Sequence, residues 1–375
     1  MNTLDKKIID TFKDLAIENI KTLETNKAPY FKFKVRLKSN TLFDSKKKIL
    51  GLGDRTEIRT YLNPSQVKKY MQLLAVMDSI KKEIEEGKII TLRDLFYLLK
   101  IKLGNDVDEQ IFEEQNQSNS IAVDLEVLTG FSREELHIVS NPRAFVVGNI
   151  IAEEKFQGKS EKIDFSKGAS AGIAVAPNPE AYTFKKVDAD YVLFCEKYAV
   201  FSRLNQEGFP QKHRAIIVTS SGYPARSARL FTKRLHDEFK LPVYILNDSD
   251  EDGLNIAQVL QIGSIALSWL SDRMAVPDAK FLGLKLSDIY SKSDLKYITE
   301  KSLTMAISKH DEKKIKTMLN NDWVKGTDYE KELKIMLDKK VKVESDVLAS
   351  KNYKILEDYI VENIKSKNWI EYTKK

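Results

Sequence analysis

The stretch Tyr191-Val192-Leu193-Phe194-Cys195 decides the fold class of this 375-residue chain. It is a short, wholly apolar run, which is typical of a strand that is buried on both faces of a sheet. Two further strands are predicted at 215–219 and 242–246, and helical segments fill the intervals between them. Because strand and helix alternate in this way, the sequence predicts an α/β fold with a mainly parallel sheet.

Acidic residues stand at the carboxyl ends of these strands, where ligands collect in parallel sheets. Glu196 closes the first strand, and Asp248 and Asp250 follow the third. If these strands are neighbours, their carboxylates lie close together, and they stay ionised side by side only when a cation neutralises them. Oxygen ligands with open water positions suit Mg²⁺. The sequence therefore predicts a magnesium site at this edge.

The acidic run has two other interpretations. Asp248, Asp250 and Asp252 match the start of an EF-hand calcium loop, with Gly253 at the sixth position. That loop needs a glutamate at its twelfth position, where this chain has Val259, so calcium is not expected. The remaining alternative is a solvated acidic turn, which the placement of Glu196 disfavours.

A second candidate site lies in residues 91–100, which read Thr-Leu-Arg-Asp-Leu-Phe-Tyr-Leu-Leu-Lys. Thr91 is a good N-cap, and the apolar residues that follow recur at helical spacing on one face. Arg93, Tyr97 and Lys100 share another face. Cations one turn from a tyrosine favour its ionised form and also bind phosphate. One hypothesis is therefore a nucleophilic tyrosine, and the other is a tyrosine half-packed at the rim of the fold.

The first half of the chain predicts mostly helices. Helices are expected over 4–23, 66–86 and 118–128, and an alternating basic and apolar strand over 30–37. Residues 136–151 predict a strand, a turn and a second strand. Three helices followed by a small hairpin is the order of a winged-helix DNA-binding domain. Residues 153–187 are turn-rich and polar and predict a linker with strands of its own.

Composition limits the class of protein. The net charge of +6 is spread along the chain, which permits a nucleic-acid partner without requiring one. A single cysteine, Cys195, excludes an internal disulfide and a cysteine zinc cluster. No apolar run approaches the roughly 20 residues of a membrane span, and no N-terminal signal pattern is present. The sequence therefore predicts a soluble, intracellular protein.

With a cation-flanked tyrosine and strand-end acids in one chain, the sequence resembles the A-subunit family of DNA topoisomerase VI. This is a type IIB enzyme family related to the protein that makes meiotic double-strand breaks. The resemblance runs through nearly the whole chain, in order. It is carried by VRLKSN (35–40), the tyrosine helix (91–100), EQNQSN (114–119), DLEVL (124–128), EKYAVF (196–201), GYPAR (222–226), PDAKFLG (277–283) and KVE (342–344).

The resemblance implies a multidomain α/β fold with a winged-helix (CAP-like) DNA-binding domain and a Toprim domain. The implied bounds are 1–66 for an N-terminal arm, 67–152 for the winged-helix domain, 153–187 for a linker, and 188–375 for the Toprim domain with a C-terminal helical extension. The arm is expected to dock onto a B subunit.

The same resemblance assigns roles to residues. Tyr97 is the implied nucleophile, Arg93 binds the phosphate it attacks, and Lys100 contacts DNA. The implied Mg²⁺ ligands are Glu196, Asp248 and Asp250, with Asp252 as a further candidate. Phe96 stands where many relatives carry a first tyrosine, which leaves Tyr97 as the attacking phenol.

The implied function is DNA cleavage and religation within an ATP-dependent topoisomerase, an isomerase whose ATPase resides on the B subunit. The expected partners are double-stranded DNA, a second copy of the chain in a homodimer, and the B subunit in an A2B2 heterotetramer. An archaeal source and a cytoplasmic, nucleoid-associated location are expected. The alternatives are a meiotic-type break-forming protein that does not religate, and a non-catalytic DNA-binding module.

Overall fold

The structure is a computed structural model, and it describes residues 2–101, 110–156 and 158–372. The chain forms two compact units. Unit 1 comprises Met1–Leu42 and Leu52–Asn141, and unit 2 comprises Phe43–Gly51 and Pro142–Lys375. The domain bounds that the resemblance implies, 1–66, 67–152, 153–187 and 188–375, stay a prediction.

The elements of the described residues are numbered in chain order. The helices are α1 (Thr3–Glu24), α2 (Val67–Glu85), α3 (Leu92–Leu98), α4 (Gln115–Thr129), α5 (Tyr198–Gln206), α6 (Phe209–Lys212), α7 (Arg226–Phe239), α8 (Glu251–Ile262), α9 (Ser271–Met274), α10 (Leu286–Ser291), α11 (Lys309–Leu319), α12 (Asp328–Lys339) and α13 (Tyr353–Lys365). The strands are β1 (Tyr30–Lys34), β2 (Thr41–Asp44), β3 (Ile49–Leu52), β4 (Thr56–Thr60), β5 (Ile90–Thr91), β6 (Ile138–Val139), β7 (Phe145–Val147), β8 (Ile150–Phe156), β9 (Lys159–Asp164), β10 (Ile173–Ala174), β11 (Tyr182–Val187), β12 (Tyr191–Cys195), β13 (Ala215–Thr219), β14 (Val243–Leu246), β15 (Lys280–Gly283), β16 (Met305–Ala306) and β17 (Val341–Lys342).

Unit 1 is built around one apolar core to which α1, α2, α3 and α4 all contribute. Phe12, Leu73, Leu95 and Leu125, one from each helix, are buried in it. The three longer helices fall where the sequence predicts them, to within a few residues at each end. The strand β1 pairs antiparallel with β4 and alternates as predicted, with its phenylalanines buried and its lysines exposed.

A buried carboxylate ties the β1–β4 ribbon to α4. Asp124 lies on α4 and accepts from the guanidinium of Arg36 at 2.5 Å. The guanidinium of Arg59, on β4, donates to the other oxygen of the same carboxylate. Asp124 is therefore fully occupied by two arginines in the interior of unit 1.

The hairpin predicted over 136–151 is wrong. β6 pairs in parallel with β5, with Ile138 opposite Ile90, and it does not pair with β7. β7 instead pairs antiparallel with β13, with Val146 opposite Val218. Val146 is fully buried, so this strand gains more by completing a larger sheet than a solvated hairpin would offer it. Residues 136–151 therefore do not form the predicted hairpin.

Unit 2 contains a six-stranded sheet in the order β10-β7-β13-β12-β14-β15. The strands β13, β12, β14 and β15 run parallel, and β7 is antiparallel to β13. Every residue of β12, β13 and β14 is buried, as the unbroken apolar runs of the sequence predict. The predicted mainly parallel sheet is thus confirmed.

A second sheet of three antiparallel strands, β11-β8-β9, is formed largely by the stretch 153–187, which the sequence predicts as a linker with its own strands. In the described residues one stretch, Glu251–Met274, is long and apolar enough by composition to cross a membrane. It spans α8, a 3₁₀ segment and α9, and 67% of its most apolar window is buried in the fold, as in core helices.

Candidate active site

Two of the predicted acids meet at the carboxyl edge of the parallel sheet. β12 and β14 are neighbours, with Cys195 opposite Leu246. Glu196 and Asp248 therefore leave the sheet side by side, and the backbone N–H of Asp248 donates to Oε2 of Glu196 at 3.3 Å. Asp248 is only 5% exposed, so the alternative of a solvated acidic turn is wrong.

The third acid, Asp250, caps a helix. Its Oδ1 accepts the backbone N–H of Gly253 at 2.7 Å, and α8 starts at Glu251, directly after this cap. The turn between Asp248 and the helix is tight. A Cβ on Gly253 would collide with the backbone oxygen of Asp248, so only glycine fits there.

The pKa values of Glu196 and Asp250 are both raised. Burial, reinforced by the negative charges of Asp248 and Asp250, raises the pKa of Glu196 to about 8. Burial, reinforced by neighbouring acids, also raises the pKa of Asp250 to about 6, against the hydrogen bond from Gly253. Both shifts have the sign that burial and neighbouring carboxylates produce.

The donor set fits a hard cation. The candidate ligands are all carboxylate oxygens, which Mg²⁺ prefers. Two buried oxygens of the same loop, Oδ1 of Asn247 and Oε2 of Glu251, have no hydrogen-bond partner. Among the residues that the structure describes, however, no three His, Cys, Asp or Glu side chains already surround one common point. The loop thus offers oxygen ligands, although the carboxylate of Asp248 is turned to partners within the protein.

Those partners are residues to which the sequence reasoning gave no role. The backbone N–H and hydroxyl of Ser345 donate to Oδ1 of Asp248 at 2.8 and 2.6 Å. The ammonium of Lys197 lies 3.0 Å from Oδ2 of Asp248, and it also pairs with Glu344 and Asp346. A role for Lys197 could have been suspected from the sequence, because this lysine directly follows Glu196. The contact of Ser345 with Asp248 could be found only from the fold.

Asp252 is turned to a different partner. Its carboxylate forms an ion pair with Lys314 on α11 and is half exposed. No hydrogen bond of Asp252 to Glu196 is present in the described structure. Asp252 thus has different surroundings from Asp248 and Asp250, although the three acids alternate along one short run.

Tyr97 lies on α3, as predicted. A capping box, in which Thr91 and Asp94 each accept the other's backbone N–H, starts this helix. Leu95 and Phe96 are buried beneath it, while Tyr97 is 56% exposed. The phenol borders an open depression of about 470 Å³ in unit 1.

The cations around Tyr97 are placed unequally. Nη2 of Arg93 lies 3.4 Å from the phenol oxygen, and its guanidinium carbon lies 5.5 Å from the ring centre. The ammonium of Lys100 lies 5.6 Å from the ring centre of Phe96. Of these two cations, Arg93 is therefore the one that contacts the phenol.

Comparison with known proteins identifies the family. Residues 191–364 match the family model for the Toprim domain shared by Spo11 and the A subunit of topoisomerase 6, and residues 68–138 match the model described as "Type IIB DNA topoisomerase". Three archaeal relatives, each named as the A subunit of type 2 DNA topoisomerase 6, are similar along nearly the whole chain. The protein of Sulfurisphaera tokodaii is 36% identical and that of Hyperthermus butylicus 37%, each over 98% of this chain and 96% of its own. That of Pyrococcus abyssi is 33% identical over 96% of this chain and 94% of its own.

The chain belongs to the topoisomerase VI A-subunit family. The resemblance found in the sequence is therefore confirmed. The Toprim match of this topoisomerase VI family begins at Tyr191, so it contains Glu196, Asp248 and Asp250. The type IIB match contains Tyr97 and Arg93. Each candidate site thus falls within its own topoisomerase VI family model.

Proposed function

We propose that this chain is the DNA-cleaving and religating subunit of an ATP-dependent type IIB topoisomerase, with Tyr97 as its nucleophile. Family membership supports the activity. The observation that carries the assignment of the nucleophile is the position of the Tyr97 phenol, outside the apolar core with Arg93 3.4 Å from its oxygen.

Tyr97 acts by covalent catalysis. Its phenol oxygen loses a proton and attacks a backbone phosphorus, which forms a 5′-phosphotyrosyl bond. The bond from phosphorus to the 3′ oxygen breaks, and that oxygen takes up a proton as a 3′ hydroxyl. Because the new ester conserves the energy of the broken one, the 3′ hydroxyl can reverse the step and reseal the strand.

Arg93 binds the phosphate that Tyr97 attacks. A guanidinium next to the phenol can donate two hydrogen bonds to phosphate oxygens and hold the phosphorus in line with the nucleophile. Lys100, one turn further along the chain from Tyr97, contacts the DNA backbone beside it as a point charge.

Glu196, Asp248 and Asp250 are the proposed ligands of Mg²⁺, and Asp252, already paired with Lys314, is the weaker candidate. A bound ion supplies positive charge that stabilises the phosphate and the leaving 3′ oxygen. The burial of these acids beside one another supports this assignment, because buried neighbouring carboxylates favour a cation between them; burial first, and neighbouring acids second, raise the pKa values of Glu196 and Asp250.

The proposed assembly follows the resemblance. The helices α2, α3 and α4 with the β5–β6 pair form the DNA-binding part, in a winged-helix (CAP-like) arrangement. Two copies of the chain form a dimer in which the tyrosine of one works with the acids of the other, so that both DNA strands are cut. An ATPase B subunit completes an A2B2 heterotetramer. The proposed location is the nucleoid.

The deciding experiment is a denaturing gel for DNA joined to the protein through a 5′ linkage, with Mg²⁺, ATP and the B subunit. Tyr97→Phe should abolish the adduct and leave DNA binding intact. Tyr290→Phe is the matched control, because this exposed tyrosine also lies beside a cation: the ammonium of Lys339 is 5.6 Å from its ring centre. Adduct formation by Tyr97→Phe would reject the nucleophile.

A second variant tests the metal assignment. Asp250→Asn keeps an oxygen that can cap α8 but removes a charge, so Mg²⁺-dependent cleavage should fall at least about tenfold. Asp338→Asn, at an exposed position on α12, is the control. Unchanged cleavage by Asp250→Asn would reject the ligand role. Relaxation of supercoiled DNA by the wild type distinguishes strand passage from break formation without religation.

A further inference from the structure

The ammonium of Lys197 is enclosed by three carboxylates. Its Nζ lies 3.0 Å from Oδ2 of Asp248, 3.0 Å from Oε2 of Glu344 and 2.7 Å from Oδ2 of Asp346. The side chain of Lys197 is 24% exposed, while Glu344 and Asp346 are about half exposed. One lysine thus bridges a buried acid of the candidate site and two acids at its rim.

The two rim acids are held in place by backbone pairing. Ser249 lies between the acids of the strand-end loop, and it exchanges two backbone hydrogen bonds with Val343, of 2.8 and 3.1 Å. This bridge brings a segment from the far C-terminal part of the chain against the loop. Glu344, Ser345 and Asp346 are therefore fixed relative to Asp248 and do not depend on a chance surface contact.

The two oxygens of Asp248 differ in how firmly they are held. Oδ1 accepts two hydrogen bonds from Ser345, one of them from the backbone, and it has no freedom to turn away. Within the described part of the chain, Oδ2 is bound only by Lys197, whose four-carbon stem is flexible. Oδ2 is therefore the oxygen that can exchange one cation for another.

We propose that Lys197 is a built-in counter-cation of the acid site: its ammonium occupies Oδ2 of Asp248 until a divalent ion binds, and then withdraws onto Glu344 and Asp346. This inference rests on the proposed function, since it takes Asp248 as a metal ligand. A divalent ion has twice the charge of the ammonium and displaces it from the shared oxygen. Glu344 and Asp346 keep the displaced charge nearby, so Lys197 needs no return to bulk water.

The proposal predicts an effect of opposite sign to that of a structural ion pair. If Lys197 only held the loop in shape, its removal would weaken divalent binding. If it competes with the metal, its removal strengthens divalent binding, because a repelling charge leaves and three carboxylates lose their neutralising partner. The protein without metal should become less stable at the same time.

The test is titration of the full chain with Mn²⁺, followed by electron paramagnetic resonance of the free ion and by thermal unfolding. Lys197→Met should bind Mn²⁺ about tenfold more tightly than wild type and show a larger rise in Tm on Mn²⁺ addition. Lys197→Arg, which keeps the charge, should remain within about threefold of wild type. Binding by Lys197→Met that is equal or weaker would overturn the proposal.

A second variant covers the case in which Lys197→Met does not fold. The double variant Glu344→Gln, Asp346→Asn removes the two acids that receive the displaced ammonium, so its Mn²⁺ affinity should fall at least about threefold. An unchanged Mn²⁺ affinity would contradict the proposed withdrawal of Lys197 onto these two acids.

Asp250→Asn distinguishes failure of the counter-cation proposal from failure of the proposed metal site. If wild type binds Mn²⁺ and Asp250→Asn loses it while the Lys197 variants do not differ, only the counter-cation is wrong. If wild type takes up no Mn²⁺, both ideas are overturned.

Discussion

The buried side chain of Asp124 is expected to contribute strongly to the stability of unit 1. It is 1% exposed and is paired with the guanidinium groups of Arg36 and Arg59. Asp124→Asn removes the charge and leaves two arginines without their carboxylate, which should lower the free energy of unfolding by about 3 kcal/mol. Urea unfolding followed by circular dichroism measures this change.

The control is Asp54→Asn. Asp54 also pairs with a cation, Lys34, at 3.0 Å, but its side chain is 98% exposed. An exposed pair of this kind contributes at most about 1 kcal/mol. A similar loss in the free energy of unfolding for the two variants would show that the burial of Asp124 does not strengthen its ion pairs.

The lowered pKa of Asp311 predicts that the stability of the fold depends on pH. Hydrogen bonding to Ser308, whose backbone N–H donates at 2.9 Å, and pairing with Lys342 lower the pKa of Asp311 to about 2. A lowered pKa stabilises the fold fully above the ordinary value of 3.8, and this contribution is lost as the pH falls towards 2. Asp311→Asn should therefore cost about 1 kcal/mol at pH 7 and roughly half as much at pH 3. Urea unfolding of both proteins at the two pH values measures it, and a difference that grows at low pH would contradict the assignment.

Single residues were predicted best where local chemistry decides their position. Tyr97 and its N-cap Thr91 could be placed from helical spacing, because a capping box and an apolar stripe are local patterns. Lys197 could not be assigned a role. Its three partners lie 51 to 149 positions away in the chain, and only the fold brings them together.

At the level of elements, the turn between β14 and α8 is the most constrained. Gly253→Ala would drive a methyl group into the backbone oxygen of Asp248, so the loop that carries the acids must shift. Because sub-ångström placement governs catalysis, cleavage of DNA should fall at least about tenfold. Gly51→Ala, where an added Cβ meets nothing within 4 Å, is the control and should cleave normally. Full cleavage by Gly253→Ala would show that the loop tolerates movement.

Elements also show where prediction from sequence stops. The alternation of β12, β13 and β14 with helices was predicted because buried parallel strands leave unbroken apolar runs. The pairing of β7 was not, because an apolar strand after a turn fits a hairpin or a distant sheet edge equally well. Its partner β13 lies about 70 residues further along the chain, and no local pattern identifies it.

At the scale of the whole molecule, the net charge of +6 bears on DNA binding. Contacts to phosphates release counterions, so the logarithm of the association constant should fall linearly with the logarithm of salt concentration. Arg93→Gln should reduce the slope by about 1, since it removes one phosphate contact. Fluorescence anisotropy with a labelled duplex over a range of KCl concentrations measures the slope.

A matched arginine serves as the comparison. Arg214 is half exposed but is already paired with Asp188 and Asp190, so Arg214→Gln should leave the slope unchanged. Equal slopes for wild type and Arg93→Gln would remove Arg93 from the phosphate contacts. The Tyr97→Phe variant should keep the wild-type slope, because a neutral phenol releases no counterion.

The position of β12 in the sheet has a consequence for slow motions. Its backbone is paired with β13 on one side and β14 on the other, and all five of its residues are buried. Amide hydrogens in such a strand exchange with deuterium only when the surrounding sheet opens cooperatively. Glu196 directly follows this strand, so we expect local fraying elsewhere in the chain to leave its anchorage in place.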